Sequence, residues 1–181
     1  MPRYSLLLVL AAFLFFPLHD VQALNPEIQA PALITGIMKD SLQSCKTIIK
    51  TARQMMDDAA PFNNARYAAR FRFKPNDKPA RNVLNQSRVM YNRFRMVGGI
   101  FWYAKPQGAD QKMAEIYASL DTIATAAKRS IRAAKDSNPT LWTASAQTLE
   151  KEALAMSAHI SDLEDMINSH IATTDAEQED L

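Results

Sequence analysis

The chain has 181 residues, of which 22% are charged, and its formal net charge is +2. Its single cysteine, Cys45, cannot form an intramolecular disulfide, so the core alone has to stabilise the fold. Only four glycines, together with many alanines and methionines, favour helix over sheet, and no segment shows sustained alternation of apolar and polar residues. These features predict one all-α domain and exclude a disulfide-rich scaffold.

Residues 1–23 have the pattern of an export signal. Arg3 precedes an apolar stretch from Leu6 to Phe16, and Val21-Gln22-Ala23 provides small residues for cleavage after Ala23. The apolar stretch is shorter than the roughly 20 residues that span a bilayer. We therefore expect an exported chain that begins near Leu24 and has no membrane span. The alternative for this stretch is a buried N-terminal helix.

The first long helix is predicted over residues 32–58. Residues 24–31 before it contain two prolines and are expected to be extended, and Pro61 ends the helix. The connection that follows, residues 62–79, has a possible short helix around residues 64–71. Apolar residues of the long helix recur at spacings of three and four and form one stripe: Leu33, Ile34, Ile37, Met38, Leu42, Cys45, Ile48, Ile49, Ala52 and Met56. Cys45 is therefore expected to be a small core residue and not a reactive thiol.

The second long helix is predicted over residues 80–104. Gly98-Gly99 near its end is costly inside a helix and indicates a close helix crossing, a kink or an early stop. A turn at residues 105–108, Lys-Pro-Gln-Gly, follows. The predicted buried face consists of Val83, Leu84, Ser87, Met90, Tyr91, Phe94, Val97 and Phe101.

Two further helices are predicted over residues 110–135 and 139–172, with Asn138 as N-cap and Pro139 as first helical residue of the last. Their inward residues are Met113, Ile116, Tyr117, Leu120, Ile123, Ala124, Ala127 and Ile131, then Trp142, Ala146, Leu149, Ala153, Met156, Ile160, Leu163 and Ile167. Four amphipathic helices joined mostly by short turns predict an up-down-up-down four-helix bundle over residues 32–172. Residues 173–181 are acidic and expected to form a flexible tail.

Charge is segregated along the chain. Residues 66–95, here called the basic segment, contain nine Lys or Arg and one acid, a net charge of +8, whereas residues 150–181 have a net charge of −8. One interpretation is solvated helix faces with weak surface pairing. Arginine outnumbers lysine, however, and aromatic residues are interspersed, which suits carboxylates and stacking at an interface. The predicted partner-docking residues are Arg66, Arg70, Arg72, Lys74, Arg81, Arg88, Arg93 and Arg95. Nucleic acid could use the same chemistry, but an exported chain of mild net charge argues against it.

Motifs for catalysis or metal binding are lacking in the sequence. It has no Glu-x-x-His pair of the kind that bundle metal sites use, no haem-attachment motif, no zinc spacing, no phosphate loop and no nucleophile elbow. A bundle could still hold haem between one methionine and one histidine, and Met55, Met56, His159 and His170 are available. We expect no catalytic, metal or cofactor residue.

Several motifs occur in a fixed order between residues 91 and 139. Tyr91-Asn92-Arg93-Phe94-Arg95 precedes Lys105-Pro106, then Asp121 and Ala126-Ala127-Lys128 share a helix, and Ser137-Asn138-Pro139 breaks the chain before the last helix. This order resembles the PsbQ-like extrinsic proteins of photosystem II, over about residues 80–165. In that family an aromatic–Arg–aromatic helix ends at a Lys-Pro turn. A helix with an acidic residue and Ala-Ala-Lys follows, and a Ser/Pro break precedes the final helix.

The resemblance implies a non-enzymatic protein of the thylakoid lumen, peripheral to the membrane and docked on the lumenal face of photosystem II. Its partners would be the photosystem core and other extrinsic subunits. Members of the family shield the oxygen-evolving manganese–calcium centre and help it to retain calcium and chloride. The same fold also serves PsbQ-like subunits of other thylakoid complexes. The connection at residues 62–79 is longer than the family pattern.

A second hypothesis remains open from the residues themselves. An exported helical bundle could instead bind a small ligand or haem in the periplasm or outside the cell. An absorption spectrum of the purified protein separates the two hypotheses, because haem would give a Soret band.

Overall fold

The computed structural model describes the backbone of residues 26–100 and 106–179, and the side chains of residues 32–99 and 106–172. Within these ranges the chain is mostly helical and contains no strand, which confirms the all-α prediction for them. The helices are α1 (Pro26–Ala59), α2 (Ala65–Ala68), α3 (Lys78–Ile100), α4 (Ala109–Lys135) and α5 (Pro139–Glu179), and a 3-10 turn, Ala60–Asn63, follows α1.

Several predicted features lie outside the described residues. They are the export signal at residues 1–23, the end of the second helix with Phe101, and Lys105. Contacts divide the chain into residues 1–32 and residues 33–181. The first of these units is described only over residues 26–32, the start of α1, and the helical bundle belongs to the second.

The two ends of the helical region differ from the prediction. α1 begins at Pro26, so residues 26–31, which were expected to be extended, are helical. A proline at the first helical position is tolerated because its missing N–H would have no partner there. α5 runs to Glu179, beyond the predicted end at residue 172, because neither glycine nor proline interrupts residues 173–179.

The turn between α4 and α5 combines two capping motifs. Ser137 has a left-handed φ of 53°, and its N–H donates to the Ala134 carbonyl at 3.3 Å. The Asn138 N–H donates to the Ala133 carbonyl at 2.9 Å, which completes a Schellman motif. The Asn138 side chain then accepts a hydrogen bond from the Leu141 N–H at 2.9 Å, which confirms the predicted N-cap.

The turn before α4 was predicted at residues 105–108, and the described part, residues 106–108, does form a turn. Gly108 has a φ of 84°, and a Cβ there would lie 3.0 Å from Met166 Cε, so the position requires glycine. At Gly98 a Cβ would meet Met113 Cε at an ordinary 3.8 Å. α3 contains both glycines and is described as far as Ile100, and the space beside them does not require a close crossing.

Buried residues follow a three–four spacing on each long helix. This spacing is typical of bundles whose side chains interdigitate along left-handed crossings. On α5 it includes every residue predicted to face inward. The buried positions are Ile34, Ile37, Met38, Ser41, Cys45, Ile48, Ala52, Met55 and Ala59 on α1; Ala80, Val83, Ser87, Met90, Phe94 and Val97 on α3; Ala109, Met113, Ile116, Ser119, Leu120, Ile123, Ala126, Ala127, Ser130 and Ala133 on α4; and Trp142, Ser145, Ala146, Leu149, Ala153, Met156, Ile160, Leu163 and Ile167 on α5.

The structure corrects two of the predicted core positions and adds one. Leu33 and Tyr91 are exposed, at 48% and 47%, and Met55 is fully buried, whereas the predicted Met56 is partly buried and packs against the core. In each case two adjacent apolar residues compete for one inward position, and the three–four spacing from the rest of the helix selects one of them. Cys45 is fully buried, and burial raises the pKa of its thiol to about 12, as expected for a core residue.

The long helices pack side by side through this core. α3 packs on α4, and α4 packs on α5. α1 is tied to α5 because Trp142 Nε1 donates to the Met55 carbonyl at 2.7 Å, and Arg53 pairs with Glu150 at 2.6 Å. Arg93 of α3 pairs with Asp40 of α1 at 3.1 Å. The packing is that of a helical bundle.

Candidate docking surface

The connection between α1 and α3 is anchored on the bundle core by Phe73. Its ring is only 5% exposed and lies edge-on to the buried indole of Trp142, with 6.0 Å between ring centroids. Earlier in the connection, the Asn64 side chain accepts hydrogen bonds from the N–H groups of Arg66 and Tyr67, at 2.9 and 3.4 Å. This cap fixes the single turn of α2. The connection is therefore a folded segment built onto the core.

A continuous row of aromatic rings leads from the core to the surface of this connection. Phe62 lies 5.0 Å from Phe73 and 5.2 Å from Tyr67, and Tyr67 lies 4.6 Å from Phe71, all between ring centroids. The last two rings are 38% and 54% exposed. The contacts made by Phe62 and Phe73 are edge-to-face, which favours fixed ring orientations, and the last pair is tilted by 35°. The outer rings are thus presented to solvent from a supported position.

Cationic side chains surround these two rings in the sequence. Arg66, Arg70, Arg72 and Lys74 are all exposed. Arg72 donates from Nε to Ser137 Oγ at 3.4 Å, which places it beside the turn between α4 and α5. Arg66, Arg70 and Lys74 make no ion pair with any described residue. We name the group Arg66, Tyr67, Arg70 and Phe71 the aromatic tip.

A second basic surface lies on α3. Arg81, Arg88 and Arg95 are seven residues apart and share the outer side of the helix. Arg88 and Arg95 are exposed and make no ion pair with a described residue. Their sequence neighbours Val89 and Met96 are about half exposed. We name Arg88, Val89, Arg95 and Met96 the α3 face.

Besides Arg72, which donates to Ser137, two of the predicted docking arginines have ion-pair partners within the molecule. Arg81 donates from Nε and Nη2 to the same Asp77 oxygen, at 2.9 and 2.7 Å, and this bond lowers the pKa of Asp77. Arg93 pairs with Asp40 and so joins α3 to α1. These two side chains contribute to the fold, whereas Arg66, Arg70, Lys74, Arg88 and Arg95 remain open to a partner. A docking role for all eight stays a prediction.

Exposed apolar and cationic side chains coincide in the basic segment. In the described part of the chain seven large apolar side chains are exposed, and five of them lie between residues 67 and 96. Sequence reasoning included Tyr67, Phe71 and Tyr91 among the aromatics of this segment but missed Val89 and Met96. The sequence pattern that could have identified these two residues is an arginine followed by an apolar residue, at 88–89 and again at 95–96. Because exposed apolar patches rimmed by polar residues are typical of interaction sites, this segment is the candidate docking surface.

His159 and His170, the histidines of the described residues, both lie on α5, away from the basic segment. Nδ1 of His159 is 3.1 Å from Glu115 Oε2, and Lys112 Nζ lies 3.0 Å from Glu115 and 2.9 Å from Asp162. His170 borders a surface groove of about 450 Å³ with Pro106, Gln107, Asp165, Met166 and Ser169. A search of the described residues finds no group of three or more His, Cys, Asp or Glu placed to hold a metal.

The haem pairings considered from sequence do not fit this geometry. Met55 lies beside Trp142, and His159 is seventeen residues further along α5, about 25 Å at the helical rise. His159 and His170 are separated by about 16 Å by the same measure. Met55 or Met56 therefore cannot ligate the same iron as a histidine of α5. The two histidines cannot ligate one iron together either.

Among the described helices, none is at once long enough and apolar enough to cross a membrane. No protein-family model, curated protein or solved structure matches the chain.

Proposed function

We propose that the protein is a non-catalytic subunit that docks through its basic segment on an acidic surface of a larger, membrane-bound complex. The observation that supports this most is the coincidence of exposed apolar and cationic side chains in residues 66–96. Arginine and aromatic residues are enriched at the centres of protein interfaces, and a basic patch orients an acidic partner before contact.

The proposed complex is photosystem II, approached from the thylakoid lumen. The motif order between residues 91 and 139 supports this choice, since it resembles the PsbQ-like extrinsic proteins. Docked there beside the core and other extrinsic subunits, the protein would shield the oxygen-evolving centre and help it to retain calcium and chloride. It would do so without binding these ions itself.

We further propose that the four long helices run up-down-up-down. The pairings of Met55 with Trp142 and Arg53 with Glu150 support an antiparallel α1 and α5, because the numbers fall on one helix as they rise on the other. Lys112 with Asp162 and Ser119 with Glu152 support the same for α4 and α5. In this arrangement the short turns join neighbouring helices.

The test is rebinding of the purified protein to salt-washed photosystem II membranes. The double variant Arg88→Glu, Arg95→Glu should bind at least about tenfold more weakly than the wild type, because repulsion replaces attraction at an interface. Circular dichroism should show unchanged helicity, since neither arginine has an ion-pair partner among the described residues. Arg93 is left intact because a carboxylate at that position would face Asp40.

A matched control makes the result specific. Arg129→Glu, Arg132→Glu changes the net charge equally on exposed positions of α4, outside the basic segment, and should rebind like the wild type. Equal weakening by both variants would show that only overall charge matters and would contradict a local docking surface. If neither the wild type nor any variant rebinds, and the purified protein shows a Soret band, the ligand-binding hypothesis replaces the docking proposal.

A further inference from the structure

We propose that the aromatic tip is the site that retains the bound partner, a carboxylate-rich protein segment with at least one apolar or aromatic side chain, and that the α3 face mainly speeds the encounter. This inference rests on the proposed docking function. It assigns retention of the partner to one group of side chains and the rate of encounter to the other. The tip consists of Arg66, Tyr67, Arg70 and Phe71, and the α3 face of Arg88, Val89, Arg95 and Met96.

Rigid support of the exposed rings is the first reason. Tyr67 and Phe71 stand at the end of a row that runs through Phe62 and Phe73 to Trp142, with neighbouring centroids 4.6–6.0 Å apart. The Asn64 cap fixes the backbone below them. Side chains that are already ordered lose little entropy when a partner binds, so more of the contact energy appears as affinity.

Chemical composition is the second reason. Tyrosine and arginine are the residues that most often dominate interface energies, when they lie together and water is excluded around them. A guanidinium matches a carboxylate with two parallel hydrogen bonds and also stacks on aromatic faces. Residues 66–76 contain four cations and no acid, and Arg66, Arg70 and Lys74 have no ion-pair partner among the described residues. A carboxylate-rich segment complements this charge.

A protein partner fits these features better than a lipid surface. Helices that lie on membranes present a long apolar face that enters the bilayer, with cations along its border. α2 has only four residues and no buried or continuous apolar face. The two exposed rings, Tyr67 and Phe71, lie 4.6 Å apart between centroids and form a small local patch, whereas a membrane-surface helix needs a long apolar face.

The α3 face differs from the tip in its support. Val89 and Met96 are about half exposed on the outer side of one helix and lie outside the row of aromatic rings, and Arg88 and Arg95 have no ion-pair partner in the described chain. Charges of this kind at the rim of an interface change the association rate and its salt dependence more than the dissociation rate.

The experiment measures association and dissociation of a synthetic twelve-residue peptide of alternating Glu and Phe, immobilised on a sensor. Tyr67→Ser, Phe71→Ser should dissociate at least about tenfold faster than the wild type, with little change in association rate. Arg88→Gln, Arg95→Gln should associate more slowly and show a weaker dependence on salt, with dissociation little changed. Leu154→Ser, an equally exposed apolar residue on α5, is the control and should change neither rate.

Two further measurements keep the test decisive. Arg66→Gln, Arg70→Gln removes exposed charges without touching the row of rings, so it should weaken retention even if the ring variant fails to fold. Vesicles of phosphatidylserine should bind far more weakly than the peptide. Tip variants that dissociate like the Leu154 control, or vesicles that bind while the peptide does not, would overturn the inference.

The inference and the proposed function can fail separately. If the peptide binds at the tip but photosystem II membranes do not bind the protein, the photosystem is the wrong partner and the tip assignment stands. If the tip variants rebind to those membranes as tightly as the wild type, the docking function stands and the tip assignment is wrong.

Discussion

At the scale of single residues, a polar cluster joins α4 and α5 outside the candidate docking surface. Glu115 accepts from Lys112 at 3.0 Å and from Gln111 at 3.2 Å, and His159 lies 3.1 Å from the same carboxylate. The Lys112 hydrogen bond is the main cause that lowers the pKa of Glu115 below its ordinary value of 4.5. The ionised carboxylate is therefore favoured in the folded state.

This shift predicts a pH-dependent effect of Glu115→Gln. A carboxylate with a lowered pKa stabilises the fold above its ordinary value, and this contribution is lost as the pH falls through the lowered value. The variant should therefore melt at a lower temperature than the wild type at neutral pH. The difference should shrink below pH 4.5 and vanish once Glu115 is protonated. Melting curves across this range test it.

The control for this measurement is Asp121→Asn, which removes an exposed carboxylate of α4 that has no ion pair among the described residues. Its melting temperature should follow that of the wild type much more closely. A constant difference between Glu115→Gln and the wild type at every pH would contradict an electrostatic origin.

At the scale of elements, the start of α5 depends on one cap. Asn138 accepts from the Leu141 N–H with its side chain and from the Trp142 N–H with its carbonyl, at 2.9 and 3.1 Å. Asn138→Ala should lower the free energy of unfolding by about 1 kcal/mol, the usual cost of a lost N-cap. Denaturant titration measures it, and Asn138→Asp, which can still cap, should retain nearly all of the stability. Equal losses in both variants would show that the cap is not the cause.

The helices could be predicted from sequence because proline, glycine and asparagine mark most of their ends. Pro61, Gly108 and Asn138 lie at or next to element boundaries in the structure. The start of α1 could not be predicted, since a proline is compatible both with an extended segment and with a first helical position. Met55 and Met56 are adjacent apolar residues, and only the spacing from the other buried positions of α1, which the structure shows, separates the fully buried residue from the partly buried one.

The candidate site was only partly visible in the sequence. The concentration of arginine in residues 66–95 is evident without a structure. The sequence does not show which of these arginines pair within the molecule and which stay open to a partner. The pairing of Arg93 with Asp40, for example, joins residues that are far apart in the chain. The row of rings from Trp142 to Phe71 likewise depends on contacts between α5 and the connection.

At the scale of the whole bundle, within residues 33–181, the cations of the connection are kept apart from the acidic end of α5. α5 begins beside the connection, where Ser137 accepts from Arg72, and its 41 residues extend about 60 Å. The acidic end of α5 therefore cannot reach Arg66, Arg70 or Lys74 of the same molecule. Their attraction for acidic groups is left for a partner.

The most direct measurement is the release of the native protein from isolated photosynthetic membranes by washes of rising sodium chloride concentration, followed by immunoblot. Exposed charge pairs are screened within about 10 Å at 0.1 M salt and within about 3 Å at 1 M. We predict that the protein remains bound at low salt, co-purifies with photosystem II and is released between these concentrations. Retention through a chaotropic salt wash, or recovery free of membranes at low salt, would contradict docking through the basic segment.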